Sequence, residues 1–373
     1  MRRILVSLLL VIVAAGAYFG YRLIWGKPLS IHHFADRVMI ERLLKRPELT
    51  TLLGFIENTP LDFHSGRLTD YSPGSMAIWH ADAQADYDLL QNYRDDRLDP
   101  QEQLTLEFME WTLGSELAAA AQPYHFNNVL YMGPYPVNQI SGAQLEPLNT
   151  LSDFHQIVDL ESSKRYLQRM AAIPDFIRSL ISAVQYRDTL NANPPQIVIE
   201  RSLKQITDLV NVAAEDWSIH RTLVDTLEGL ELEERERQAL VSESLQLVEG
   251  SVIPAYQKLA DVLNDIMQRA PKAVGIWTLP NGDDYYEALL YAQASTRMSP
   301  DEIHELGLRL VAEFREQITA QLTAIGYEEG SIAERIEQMM NEPGARYADS
   351  EAGRQEVIDD FTRIGAKLEA ETI

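Results

Sequence analysis

The chain has 373 residues, with 32 Lys and Arg, 56 Asp and Glu, no cysteine and a formal net charge of −24 at pH 7. After residue 50 the imbalance grows, because 24 basic residues face 53 acidic ones, a net charge of −29. Such an acidic surface argues against nucleic acid and anionic lipid as partners of that part. Without cysteine, disulfides and thiolate metal sites are excluded, so a metal would have to be held by His, Asp or Glu.

The N-terminus carries an uncharged apolar run, Ile4 to Tyr21, behind Arg2 and Arg3. Eighteen helical residues span about 27 Å, close to the roughly 30 Å of a bilayer's hydrocarbon core. Basic residues at the start of such a span normally stay in the cytoplasm. Residues 1–28 are therefore predicted to anchor the protein in the inner membrane, with the remainder facing the periplasm.

A cleaved signal peptide is the alternative interpretation of the same run. Ala15-Gly16-Ala17 has the small residues of a cleavage site, and cleavage there would release a periplasmic protein. We favour the retained anchor because apolar residues continue past that site to Trp25.

The rest of the chain, residues 29–373, is predicted to be an all-α domain. Apolar residues recur with helical spacing from Glu102 onward, and no stretch alternates as a half-buried strand does. Helices are predicted over 102–121, 159–190 with a break at Pro174, 195–228, 232–269 with a kink at Pro254, 283–295, 299–326, a short segment after Ser331, and a last helix from about Ser350. Ser299 with Glu302 and Ser331 with Glu334 have the spacing of capping boxes.

Residues 123–151 form the longest non-helical stretch after Glu102, rich in proline and tyrosine. A long ordered loop in a helical protein is usually a functional segment or a lid. The alternative is a structural connector that its aromatic residues hold against the helices.

A metal site is not predicted in this chain. His304-Glu305 resembles the start of a zinc-binding H-E-x-x-H helix, but the position four residues after His304 is Leu308. No two of the eight histidines are three to five residues apart. We therefore interpret His304 as a helix-surface or interface residue, and expect neither a metal ligand nor a catalytic residue here.

Five segments in order resemble a known family. They are Pro134–Gly142, Pro194–Glu200, Val252–Tyr256, Gly275–Tyr286 and Ser299–Gly307. This series resembles the bacterial family called domain of unknown function 885, over roughly residues 35–373. From these segments we take Asn138, Gln139, Tyr285 and Tyr286 as candidate substrate-binding residues, with at most one of the two adjacent tyrosines available to a ligand.

The resemblance implies an α-helical scaffold similar to zinc peptidases of the gluzincin type, in proteins that are often exported or membrane-anchored. The H-E-x-x-P-G-H segment of the family has no counterpart in this sequence, so no zinc ligand is carried over. The last helix also stops at Ile373 without a capping glycine, which suggests the N-terminal part of a longer protein. Its apolar stripe, Val357 to Leu368, is expected to be covered by that missing part, and zinc is expected only in the full-length protein.

Two functions remain open. In the first, the intact protein is an exported, membrane-anchored, zinc-dependent peptidase-like hydrolase acting on peptides, of which this chain alone is inactive. In the second, the chain is a non-catalytic helical module that binds a peptide or a partner in the cell envelope. The sequence predicts neither a substrate nor an oligomeric state.

Overall fold

The computed structural model describes residues 2–372, except for the side chains of residues 2–9, 11, 12 and 372. It is mostly helical, which confirms the all-α class. The helices are α1 (Arg2–Ile24), α2 (Ile31–Lys45), α3 (Pro47–Leu53), α4 (Pro73–Leu90), α5 (Pro100–Ala120), α6 (Glu146–Asn149), α7 (Leu160–Thr189), α8 (Gln196–Val210), α9 (Ser218–Glu228), α10 (Glu234–Leu247), α11 (Ile253–Met267), α12 (Gly282–Ala294), α13 (Pro300–Ala324), α14 (Ile332–Met340) and α15 (Glu351–Thr372).

Helix α1 covers the apolar run at the N-terminus. Among the residues described, no helix is both long enough and apolar enough to cross a membrane. Eight side chains of the run, those of residues 4–9, 11 and 12, lie outside the described ones. The membrane anchor therefore stays a prediction.

Three expectations about secondary structure were wrong: the stretch 123–151 is not entirely non-helical, because α6 lies within it, the segment 195–228 is not one helix, and α7 has no break. The loop contains a small antiparallel hairpin of β1 (Phe126–Asn127) and β2 (Met132–Gly133), too short to produce a sequence pattern. The segment 195–228 is two helices, because the chain leaves the helical conformation between α8 and α9. That connection brings the buried Trp217 against Tyr256, with ring centroids 5.9 Å apart.

The two internal prolines behave differently. Helix α7 continues through Pro174, so the predicted break is absent. Its neighbours Ile173 and Phe176 are buried, and this packing holds the helix where one backbone hydrogen bond is lost. Before Pro254, by contrast, residues Val248–Val252 form a π-helical turn between α10 and α11. This irregularity lies next to the predicted kink.

The first of two compact units, Met1–Arg297, holds nearly all the buried apolar side chains described. Its main core lies between α7, α8, α9, α10 and α11. A second cluster joins α2 to α5, with Phe34 and Leu113 fully buried. A third cluster joins the loop to α12 through Tyr124 and Tyr285.

The second unit, Met298–Ile373, contains α13, α14 and α15. Both predicted capping boxes are present, at Ser299 with Glu302 and at Ser331 with Glu334. Among its described hydrophobic side chains, only Leu322 is buried. Its helices are therefore well specified locally but contribute little core of their own.

Candidate functional site

Tyr285 joins the long loop to α12. Its side chain is fully buried, and its hydroxyl lies 2.8 Å from Nδ1 of His125. Burial lowers the pKa of His125 to about 3, so this imidazole is neutral at neutral pH. Nearby, Tyr124 donates a hydrogen bond of 2.6 Å to the carbonyl of Pro280. Tyr285 thus fastens the loop to the segment that begins α12.

The other three candidate residues lie in different surroundings. Asn138 is buried, and its Oδ1 accepts hydrogen bonds from the amides of Ile140 and Ser141, which closes a turn of the loop. Gln139 is half-buried, and its Oε1 has no hydrogen-bond partner among the described residues. Tyr286 is exposed, as expected for one of two adjacent helical tyrosines. The assignment of all four to substrate binding stays a prediction.

A buried arginine fixes the path of the loop. The Arg187 side chain donates hydrogen bonds to the carbonyls of Tyr124, His125, Pro134 and Ala183, at 2.7 to 3.1 Å. Burial lowers the pKa of Arg187 to about 10, which still leaves it charged at neutral pH. A charged donor satisfies several carbonyls at once where water is excluded. The loop is therefore an anchored structural element.

The buried carboxyl group of Glu146 stabilises the connection between the two strands of the hairpin. Glu146 accepts a hydrogen bond of 2.7 Å from the Tyr71 hydroxyl and one of 3.1 Å from the amide of Val129. Burial, and then the like charge of Glu48, raise the pKa of Glu146 well above its ordinary value. The hairpin connection 127–132 is thus supported by a carboxyl group that favours its protonated form.

Arg46 lies beside this hairpin because of the residue that follows it. Pro47 disfavours a helical conformation at the preceding position, so α2 ends and Arg46 has φ −126° and ψ 79°. The guanidinium group then stacks over Trp79, with Cζ 5.3 Å from the ring centroid. It also donates hydrogen bonds to Oδ1 of Asn127 and to the carbonyl of Asn128.

These elements enclose a groove of about 420 Å³, which we call the loop groove. Its walls include residues 127–132 of the loop, Trp111 and Glu116 of α5, Gln293 of α12, and Arg42 and Arg46 at the end of α2. Gln293 donates a hydrogen bond of 3.1 Å to the carbonyl of Met132, and Trp111 donates one of 3.3 Å to the carbonyl of Tyr291. The groove thus combines cationic, aromatic and amide groups.

Two larger cavities lie along α7, one of about 530 Å³ beside residues 66–72 and one of about 700 Å³ beside α11. The second is lined mainly by aliphatic residues such as Ile177, Ile181 and Val262. Neither cavity is lined by residues of the long loop or by the tyrosines of α12. We take the loop groove as the candidate site because residues 127–132 of the long loop line it. None of the four candidate residues, Asn138, Gln139, Tyr285 and Tyr286, lines this groove, and α12 contributes Ala292 and Gln293 instead.

Within residues 2–372, no three His, Asp or Glu side chains form a group that could hold a metal ion. His304 is exposed on α13, in agreement with a helix-surface residue. We therefore derive no chemical step through a metal.

The residues that give the groove its charge were missed in the sequence. Arg42 and Arg46 precede an unremarkable proline, and Trp111 lies within a regular helix. The one local signal is the Arg46-Pro47 pair, since the residue before a proline often ends a helix. That signal predicts where α2 ends, but not that Asn127, 81 positions away, contacts Arg46.

Comparison with known proteins relates the chain to a bacterial family and to a known fold. No curated protein matches it. The fold is similar to the crystal structure of "the putative lipoprotein from Colwellia psychrerythraea", with a TM-score of 0.77 and 20% identity. The likeness, which covers 90% of this chain and 59% of the length of that one, shows a common fold. The model of DUF885, "Bacterial protein of unknown function", matches residues 47–372, and the chain belongs to this family.

Proposed function

We propose that this chain provides the peptide-binding surface of an exported, membrane-anchored hydrolase of the zinc-peptidase type. The observation that carries the proposal is the loop groove, an open site where the anchored loop meets α5 and α12. The hydrolase class comes from the family resemblance. The residues described here supply binding without hydrolysis.

The groove offers backbone, apolar and charged groups that favour peptide binding. The hairpin is a two-stranded sheet, so the outer edge of each strand is not paired with another strand in the described chain. An extended peptide can add its backbone to such an edge. Leu130 and Trp111 offer apolar contact for side chains, while the two arginines offer charge.

A binding experiment tests the groove directly. Fluorescence anisotropy with labelled hexapeptides of varied sequence measures the affinity of the full chain. Leu130→Asp is expected to weaken the tightest peptide at least about tenfold, because a charge replaces an apolar contact at the groove rim. Leu104→Asp is the matched control, since Leu104 is also exposed but does not line the groove. Equal losses in both variants, or no binding by the wild type, would contradict the proposal.

The metal content and activity of the chain test the second half of the proposal. After dialysis we expect less than stoichiometric zinc and no peptide hydrolysis. One tightly held zinc per chain would show that a site exists which the described side chains do not form.

The proposed location is the inner membrane, with the bulk of the chain in the periplasm. The apolar run behind Arg2 and Arg3 supports it, and the similar solved chain is described as a lipoprotein. Fractionation with N-terminal sequencing tests it: the anchor predicts a membrane-bound protein with its first residues intact. A soluble periplasmic species beginning near Tyr18 would show a cleaved signal peptide.

A further inference from the structure

Arg46 is a positioned cation in the loop groove. A guanidinium has five N–H donors, and two of them are directed at the oxygens of Asn127 and Asn128. The stack on Trp79 fixes the plane of the group. Three of the five donors remain for a further acceptor, and Arg46 lines the loop groove.

The neighbouring cations differ from Arg46 in their partners. Each has a carboxylate within 4 Å: Arg42 pairs with Glu116 at 2.5 Å, Lys45 with Asp82 at 2.6 Å, and Arg37 with Asp86 at 3.5 Å. Between residues 2 and 372, Arg46 has no such ion pair, although the chain has 24 more acidic than basic residues.

The nearest buried carboxyl groups are occupied by other donors. Glu48 accepts hydrogen bonds from the amide and hydroxyl of Thr69, and Glu146 accepts from Tyr71 and Val129. Because burial favours the protonated form of Glu146, this group compensates the Arg46 charge only in part. The charged residues that line the loop groove are Arg42, Arg46 and Glu116, so their formal charges sum to +1 in an acidic protein.

We propose that Arg46 binds the free C-terminal carboxylate of a peptide that lies in the loop groove. This inference rests on the proposed function and narrows its substrate class to peptides bound by their C-terminal end. A planar guanidinium matches a carboxylate through two parallel hydrogen bonds. Leu130 and Trp111, in the same groove, would contact the side chain of the last residue.

Three labelled hexapeptides test the inference on the full chain. Two of them have the same sequence and end in a free acid or in an amide, and the third is an amide in which the last residue is replaced by Glu. The free acid is expected to bind at least about tenfold more tightly than either amide, the range of charge-assisted hydrogen bonds. Arg46→Gln should bring the ratio of free-acid to amide affinity close to one, whereas Arg46→Lys should restore part of the preference. Arg94→Gln, at an exposed arginine outside the groove, is the control.

The results distinguish the inference about Arg46 from the proposal that peptides bind in the loop groove. Equal affinity for the free acid and the plain amide in the wild type would overturn the inference, while the peptide-binding proposal would stand. Tight binding of the Glu-containing amide would also overturn it, because the recognised carboxylate would be a side chain.

If Arg46→Gln weakens the binding of acid and amide alike, the inference also fails, because Arg46 would then only shape the groove. If no peptide binds, the proposed function itself fails. The wild-type comparison needs no variant, so a folding defect in Arg46→Gln cannot obscure the outcome.

Discussion

The two units of this chain are both mostly helical but differ in what their apolar side chains contact. In Met1–Arg297 the apolar faces of α7 to α11 meet one another and are buried. In Met298–Ile373 helices α13 and α15 have apolar stripes of similar spacing, yet Phe314, Phe361 and Leu368 are exposed. The comparison teaches that an amphipathic pattern specifies a helix and a face, whereas burial depends on a partner surface.

Amide hydrogen exchange of the full chain should show the largest difference between the units. Helix α7 is expected to exchange only through global unfolding, whereas residues 357–368 should exchange through local opening. The gap in opening free energy should reach about 5 kcal/mol, because an isolated helix is marginal in water. Strong protection of residues 357–368 in a monomeric sample would mean that their stripe is already buried.

A matched pair of phenylalanines measures the same contrast at single positions. Phe176→Ala should lower the free energy of unfolding by about 3–5 kcal/mol, because Phe176 is 2% exposed in the main core. Phe314→Ala should change it by less than about 0.5 kcal/mol, because Phe314 is 52% exposed. Urea denaturation followed by circular dichroism gives both values. Similar losses at the two positions would abolish the distinction between the units.

Two arginines of α7 test whether the buried charge holds the loop. Arg187→Met should cost about 3 kcal/mol or more, because it leaves four buried carbonyls without their charged donor. Arg178→Met should cost less than about 0.5 kcal/mol, since this side chain is exposed and its pair with Asp175 is solvated. The midpoints of urea denaturation are measured for both variants and for the wild type. Equal midpoints would mean that the loop does not depend on Arg187.

The buried Glu146 predicts that the stability of the protein falls as the pH rises. Because its pKa is raised in the folded state, the unfolded chain releases this proton at lower pH, starting near the ordinary value of 4.5. As pH rises from there towards the raised pKa, the folded state binds more protons than the unfolded state, and stability falls. Glu146→Gln should therefore stabilise the protein on the order of 1 kcal/mol at pH 8 relative to pH 5. A variant with the wild-type pH slope would contradict this account.

The smallest effect is expected at the cap of α13. Ser299→Ala should destabilise this helix by about 1 kcal/mol, because the amide of Glu302 loses its acceptor. Ser299→Asp should retain most of the stability, since aspartate caps equally well. Hydrogen exchange in the first turn of α13 is the measurement. Identical exchange in the wild type and the alanine variant would show that the cap contributes nothing.

The features that the sequence predicted are those fixed within a few residues. The capping boxes at Ser299 and Ser331 join groups three positions apart, and the irregular turn before Pro254 is closed by a hydrogen bond between groups five positions apart. The helical character of most of the chain follows from the spacing of its apolar residues. Local chemistry was therefore enough for the fold class and for many helix limits.

What only the tertiary structure decided involves partners far apart in the chain. Pro174 remains inside α7 between buried neighbours, and the connection after α8 places Trp217 against Tyr256. The loop groove forms because Arg46 meets Asn127, and Gln293 meets Met132 across 161 positions. A sequence pattern records which side chains are available, but the free energy of burying a charge or an aromatic ring depends on what surrounds it after folding. The sequence by itself thus determined the helical class and most helices after Glu102, and folding alone determined which of their side chains make a site.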